Sequence, residues 1–365
     1  MNRICILNDE PEGTGAGRYA YTLWRTLKQL KKPADMARFT KNETVREEAG
    51  QLTIPSKSKI PAPDRRVERM LNWYYSMPEK VPLGYALYHA TNQHLARTLQ
   101  ASRGIRLLTI LDMLELQPES NPAVQLFTRL NLSRIKEFDR VITISQYFKG
   151  EIAEKLNFPE ELIDVTLLGA DTKTFSPGSR TRSRKLLGLP ARARIILHVG
   201  YDHPRKNIAA AIQALEKIKD KNTILVRLGH TTPKTIELIK KLGVASRVRL
   251  IPSTPEQLLV HYYRAADVFV FPSSKDYGLP ILEAMASGTP VVSSNTTSMP
   301  ELAGNAAILV PPTGEELAAG IERVLTNDKL SRRLEKAGKQ QAAKFTWKAT
   351  ALATLKSYEK AGWKH

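Results

Sequence analysis

Cysteine is almost missing from the 365 residues: Cys5 stands alone inside a short apolar run, so no disulfide and no cysteine metal cluster can form within one chain. Cys5 reads as core packing. Apolar runs near the roughly 18 residues that signal a membrane-spanning helix are missing too. The start, MNRICILND, is a strand-length apolar run followed by acids rather than a signal peptide, and the expected location is the cytoplasm. There is no low-complexity or collagenous tract, which excludes fibrous and disordered classes. Acids are in short supply: 36 Asp and Glu face 55 Lys and Arg, for a net charge of +19. That balance predicts attraction to polyanions, which are nucleic acid, anionic lipid or a phosphorylated substrate; charge alone does not choose among them. The basic residues are spread without a recognisable reading module, so no nucleic-acid partner is expected.

What is present suits a folded α/β protein. Hydrophobic residues make up 42% and charged residues 25%, and the length exceeds one ordinary core, so two domains are expected. Strand-length apolar runs at 3–7, 106–110 and 140–144 alternate with helix-period segments such as 19–30. The segment SPGSRTRSRKLLGLPARAR carries six basic residues and no acid, and reads as a linker. The rhythm then restarts with strands at 195–199, 223–228, 247–251, 268–271 and 290–293. Helices are expected at 208–219, 281–286 and 315–325, with a basic helical stretch over 330–360. The predicted architecture is α/β: a Rossmann-like domain over 1–177, a linker over 178–194, and a second Rossmann-like domain over 195–344. A C-terminal helix over 345–365 is expected to cross back to the first domain. Two such sheets are expected to face each other across a cleft, with ligands beyond the strand C-termini at the switch points.

The most informative segment is FPSSKDYGLPILEAMASGTPVV, 271–292, a strand, loop, helix and strand in close succession. Pro280 can open the helix and leave backbone N–H groups for an anion. Glu283, expected within the first turn, has two readings: an acceptor for paired ribose hydroxyls, or a carboxylate that complements the helix start. HVGYDHPRKN places Arg205 and Lys206 after a strand and before a helix, either facing a phosphate or as a solvated basic helix start. GTGAGRY, 13–19, is a glycine-rich turn in which Gly15 and Gly17 allow close approach of a ligand, or simply a tight strand-to-helix turn. His89 and His203 are expected in loops after strands, either as site groups or as surface groups.

GLPILEAMASGTPVV resembles the signature of the family-four glycosyltransferases of the GT-B fold, mannosyltransferases among them. The resemblance extends through GTGAGRYAYTL, VITISQYFKGEI, LLGADTKTFSP, HVGYDHPRKN and YYRAADVFVFPS. It implies a retaining hexosyltransferase that uses a nucleotide-diphosphate sugar, with GDP or UDP as carrier, no cofactor and no metal. The sequence has no Asp-x-Asp pair of the kind that bridges a diphosphate through a metal. By resemblance, Glu283 binds the donor ribose, Lys206 with Arg205 meets the diphosphate, and Gly15, Gly17, Tyr277, Gly278 and Leu279 line the donor. Two positions depart from the pattern. Lys275 stands where the family has a sugar-contacting glutamate, so that Asp276 is a substitute acid or Lys275 pairs with an anionic sugar. Leu111 and Asp112 stand where many relatives have His-Asp. The acceptor, a glycan or lipid-linked hydroxyl, is expected on the first domain. There the segment 65–75, RRVERMLNWYY, is either a face for an anionic membrane surface or an ordinary amphipathic helix. A sugar-nucleotide binder without catalysis is the alternative.

Overall fold

The computed structural model describes residues 2–40, 49–55, 77, 80–118 and 120–364. The proposed membrane-facing segment 65–75 lies outside the described residues. The chain forms two compact units, one from Met1–Leu168 with Trp347–His365 and the other from Gly169–Thr346.

The sheet of the first unit contains strands β1 (Ile4–Asn8), β2 (Ala34–Thr40), β3 (Gln51–Pro55), β4 (Leu87–Ala90), β5 (Ile105–Ile110), β6 (Arg140–Thr143) and β7 (Ile163–Val165). Their order is β3-β2-β1-β4-β5-β6-β7 and every pairing is parallel. Because β1 pairs with both β2 and β4, the direction of winding reverses between β1 and β4. All five residues of β1 are buried, as expected for a parallel strand covered on both faces. Leu7, Tyr88, Leu108, Ile110 and Val141 belong to the core under this sheet.

The first helix runs over Gly15–Gln29 and starts four residues before the expected 19–30. The Thr14 side chain caps it, accepting from the Gly17 N–H at 3.0 Å and donating to the Pro11 carbonyl at 2.9 Å. Gly15 and Gly17 therefore sit in the first helical turn and not in the preceding turn. The expected stretch 330–360 is two helices, Asp328–Ala342 and Trp347–Lys360, separated around the buried Phe345. The latter helix belongs to the first unit: the Thr350 hydroxyl donates to the Leu167 carbonyl at 2.7 Å, and the Trp363 indole to the Asn2 carbonyl at 3.2 Å.

The second sheet contains β8 (Arg194–Val199), β9 (Thr223–Leu228), β10 (Val248–Ile251), β11 (Val268–Phe271), β12 (Val291–Ser294) and β13 (Ile308–Val310), in the order β10-β9-β8-β11-β12-β13. It is parallel throughout, with its reversal between β8 and β11. Both units are thus Rossmann-like α/β layers. The expected linker 178–194 turns out differently. It forms the helix Arg180–Leu186, capped by Ser179, and Arg184 is buried against the second unit. The Arg184 guanidinium donates to Asp267 at 2.7 Å and to the carbonyls of Ala265, Ala191 and Ala193. A charge that looks solvated in the sequence is an internal tie between this helix and the start of β11.

Candidate active site

The reversal point of the second sheet brings two loops together. After β8 the chain turns through Pro204–Lys206, where the His203 ring nitrogen Nδ1 accepts from the Arg205 N–H at 3.3 Å. His203 is exposed and serves here as a cap. Asn207, at φ 51°, ends the turn and donates through its amide to the Pro312 carbonyl at 2.8 Å. The loop after β11 is sewn to this turn, because the Ser274 N–H and the Ser273 hydroxyl both donate to the Arg205 carbonyl, at 2.8 and 2.9 Å.

These ties bring Arg205 and Lys206 onto Asp276, with Arg205 also against the Lys275 carbonyl. The Arg205 guanidinium donates to Asp276 Oδ2 at 2.9 Å and to the Lys275 carbonyl at 3.3 Å. Lys206 Nζ donates to the same Oδ2 of Asp276. Lys206 is largely buried, with its ammonium 5.2 Å from the centroid of the Phe271 ring, within cation–π range. A solvated basic helix start does not describe this lysine. Asp276 is itself fixed: its Oδ1 accepts from the Tyr277 N–H at 2.9 Å, and its carbonyl accepts from the Ser298 hydroxyl.

Gly278 opens the next helix, Leu279–Ala286, at φ 104°, a conformation that costs a residue with a Cβ about 1–2 kcal/mol. Pro280 follows in the first turn, where its missing N–H breaks no helical bond. Glu283 lies one turn further on rather than in the first turn, so complementing the helix start does not account for it. Its carboxylate is buried and accepts from the Tyr263 hydroxyl at 2.8 Å. Tyr263 is in turn fully buried, and its carbonyl accepts from Thr289 at 2.7 Å.

Three residues near these loops escaped the sequence reading. Tyr263 is one. The others are His198 and Arg227, which face each other across the β8–β9 register and are buried. Burial, with Arg227 and Lys206 nearby, pushes the His198 pKa down to about 3, so the imidazole is neutral near pH 7. The Arg227 guanidinium donates to the His230 carbonyl at 3.0 Å and to the Leu228 carbonyl, which shapes the turn after β9. The signal was a polar residue inside the apolar runs IILHV and TILVRL.

Gly15, Gly17 and Asp112 belong to the first unit. A Cβ at Gly15 would meet nothing within 4 Å, whereas one at Gly17 would lie 1.9 Å from the Pro11 carbonyl oxygen. Gly17 is therefore demanded by packing inside its own unit. Asp112 Oδ1 accepts from the Leu114 N–H at 3.0 Å and shapes the turn after β5. His89 is in β4 and not in a loop. Its ring bonds to Tyr358 at 2.8 Å and to Thr109 at 2.7 Å, and burial lowers its pKa to about 3. It is a satisfied core group. Among the described residues, Asp9, Glu10 and His94 form a cluster with ligand-type atoms within 4.8 Å of one another. Asp9 already accepts from Asn92 at 2.7 Å, and His94 is bonded to Glu115 at 2.8 Å.

Residues 179–341, which include all of the second-unit site, match the family model described as glycosyl transferases group 1. A D-inositol 3-phosphate glycosyltransferase of Mycolicibacterium smegmatis is 31% identical over 236 residues, covering 62% of this chain and 54% of that one. O-antigen chain mannosyltransferase B of Escherichia coli is 28% identical over 284 residues, covering 75% of this chain and 74% of that one. The chain spans about half the length of the inositol phosphate relatives it matches. Among solved structures, sucrose-phosphate synthase from Thermosynechococcus elongatus has a TM-score of 0.80 over 99% of both chains at 22% identity, a likeness of fold. The match to the glycosyl transferases group 1 thus spans residues 179–341, and the likeness of fold extends over both Rossmann-like units, which are of the GT-B class.

Proposed function

We propose that the chain is a retaining, metal-independent glycosyltransferase that moves a hexose-type sugar from a GDP- or UDP-sugar to a hydroxyl of a glycan or lipid-linked acceptor. The observation that carries this reading is the pair of clamped cations, Arg205 and Lys206, at the reversal point of the second sheet. In this reading they meet the donor diphosphate together with the start of the helix at Leu279, and Glu283, held by Tyr263, accepts from the ribose hydroxyls. Tyr277, Gly278 and Lys275 lie alongside on the loop that leads into that helix. As the bond between the anomeric carbon and phosphate oxygen breaks, negative charge grows on the diphosphate next to Lys206. The acceptor oxygen forms the new bond on the same face and its proton passes to the departing diphosphate, so the step needs no protein nucleophile.

Release of nucleotide from a panel of nucleotide sugars, with and without crude lipid acceptors, tests the reading. Lys206→Ala is expected to lower kcat by about 100-fold or more, in line with removal of one preorganised group, while Glu283→Ala mainly weakens donor binding. No uptake of any nucleotide sugar overturns it. A binder without catalysis is the second reading, favoured by Lys275 and Leu111 at positions where the family pattern differs; it takes up donor but releases no nucleotide. No helix among the described residues is long and apolar enough to cross a membrane. Attachment to an anionic membrane surface is part of the proposal, motivated by the net charge of +19, and unchanged partitioning onto anionic vesicles rejects that part.

A further inference from the structure

We infer that Asp276 is a built-in counter-ion that occupies the two cations of the donor site until a nucleoside diphosphate displaces it. It is thus a positioning residue that keeps Arg205 and Lys206 aimed and limits how tightly the product is held. The inference rests on the donor-site reading above and adds a role for the carboxylate within it.

The geometry is specific. A single oxygen, Oδ2, takes both the Arg205 guanidinium at 2.9 Å and the Lys206 ammonium, while Oδ1 is held by the Tyr277 N–H at 2.9 Å. The side chains of Lys206 and Asp276 are only 10% and 15% exposed, so their pairing is shielded from water, unlike surface pairs of little consequence. The backbone beneath is clamped, because the Ser298 hydroxyl donates to the carbonyls of both Asp276 and Tyr277. The cations therefore have a fixed partner when no ligand is bound, and the long Lys206 side chain is ordered in advance.

An arriving diphosphate carries at least two negative charges and many acceptor oxygens, and it seeks the same N–H groups. The carboxylate cannot stay on both cations without meeting phosphate oxygens at close range, where like charges repel. It must turn aside while its backbone stays in place. Transfer of the sugar leaves a terminal phosphate with about one further negative charge near neutral pH. The product thus grips the cations harder than the donor does, and Asp276 offers them an alternative partner as the product leaves.

Calorimetric titration of UDP and GDP into the native chain and into Asp276→Asn tests this, because neither ligand carries the sugar that is transferred. The expected result is binding about tenfold tighter in D276N. Under turnover, KM and kcat for the nucleotide sugar should fall together as release becomes limiting. Equal or weaker nucleotide binding in a folded D276N overturns the inference and leaves Asp276 as a contact for the sugar or a structural link. Absence of UDP and GDP binding by the native chain instead removes the donor site and the inference with it. Should D276N not fold, a structure of the native chain with either nucleotide decides. Asp276 parted from Lys206 supports the inference, and a carboxylate still bridging both cations beside a seated nucleotide refutes it.

Discussion

Tyr263 and Glu283 show how one hydroxyl can fix a buried carboxylate. The carboxylate is buried, and the phenol donates to it at 2.8 Å. Tyr263→Phe is expected to cost about 1–3 kcal/mol of stability, the usual cost of removing a donor from a buried acceptor. It should also raise the donor Kd with little change in kcat; chemical denaturation and nucleotide titration read the two effects separately. The glycines of the first unit divide in the same way. Gly17→Ala forces a methyl group to within 1.9 Å of the Pro11 carbonyl oxygen, and a loss of about 1–3 kcal/mol should appear in thermal unfolding. Gly15→Ala enters open space and should leave stability within about 0.5 kcal/mol. A loss of equal size in both variants would show that the Gly17 contact is unimportant.

Elements were legible in the sequence where branched apolar residues run together, because both faces of a parallel strand are covered. ILHV, ILVRL and VFVF gave strands whose ends shift by one or two residues at most. Strands β2, β3, β4, β7 and β13 were not marked, since QLTIP, LYHA and IDV are short or interrupted by polar residues and owe their strand state to neighbours already in the sheet. The cations of the site were legible by motif and position, but Tyr263 was not: its partner Glu283 lies on another helix. The basic segment before β8 was misread for a related reason. A sequence does not distinguish an arginine in water from one tied to an aspartate 83 positions away. Arg184→Ala strips Asp267 of its buried partner and leaves several carbonyls without their donor, so a loss of about 3 kcal/mol is expected in denaturant titration of the second unit. A change under about 1 kcal/mol would restore the linker reading.

For the molecule as a whole, each unit hides a neutral imidazole among the described residues, His89 in the first and His198 in the second. Burial holds both pKa values near 3, against 6.5 for the ordinary group. Well above pH 6.5 neither state is protonated and the contribution to stability is complete. As pH falls from 6.5 towards 3, the unfolded chain takes up protons that the folded chain refuses, so stability is lost across that window. The melting temperature should drop between pH 7 and pH 4, and His198→Phe should flatten the decline; an unchanged slope would rule out His198 as a source. The path of the chain has its own consequence. Because Gly169–Thr346 is spliced into a unit that closes only with Trp347–His365, the part translated first is completed last. On the ribosome, His89 has to await Tyr358, its hydroxyl partner, while the later-made sheet already possesses every strand it needs. Birth order and maturation order are thereby reversed.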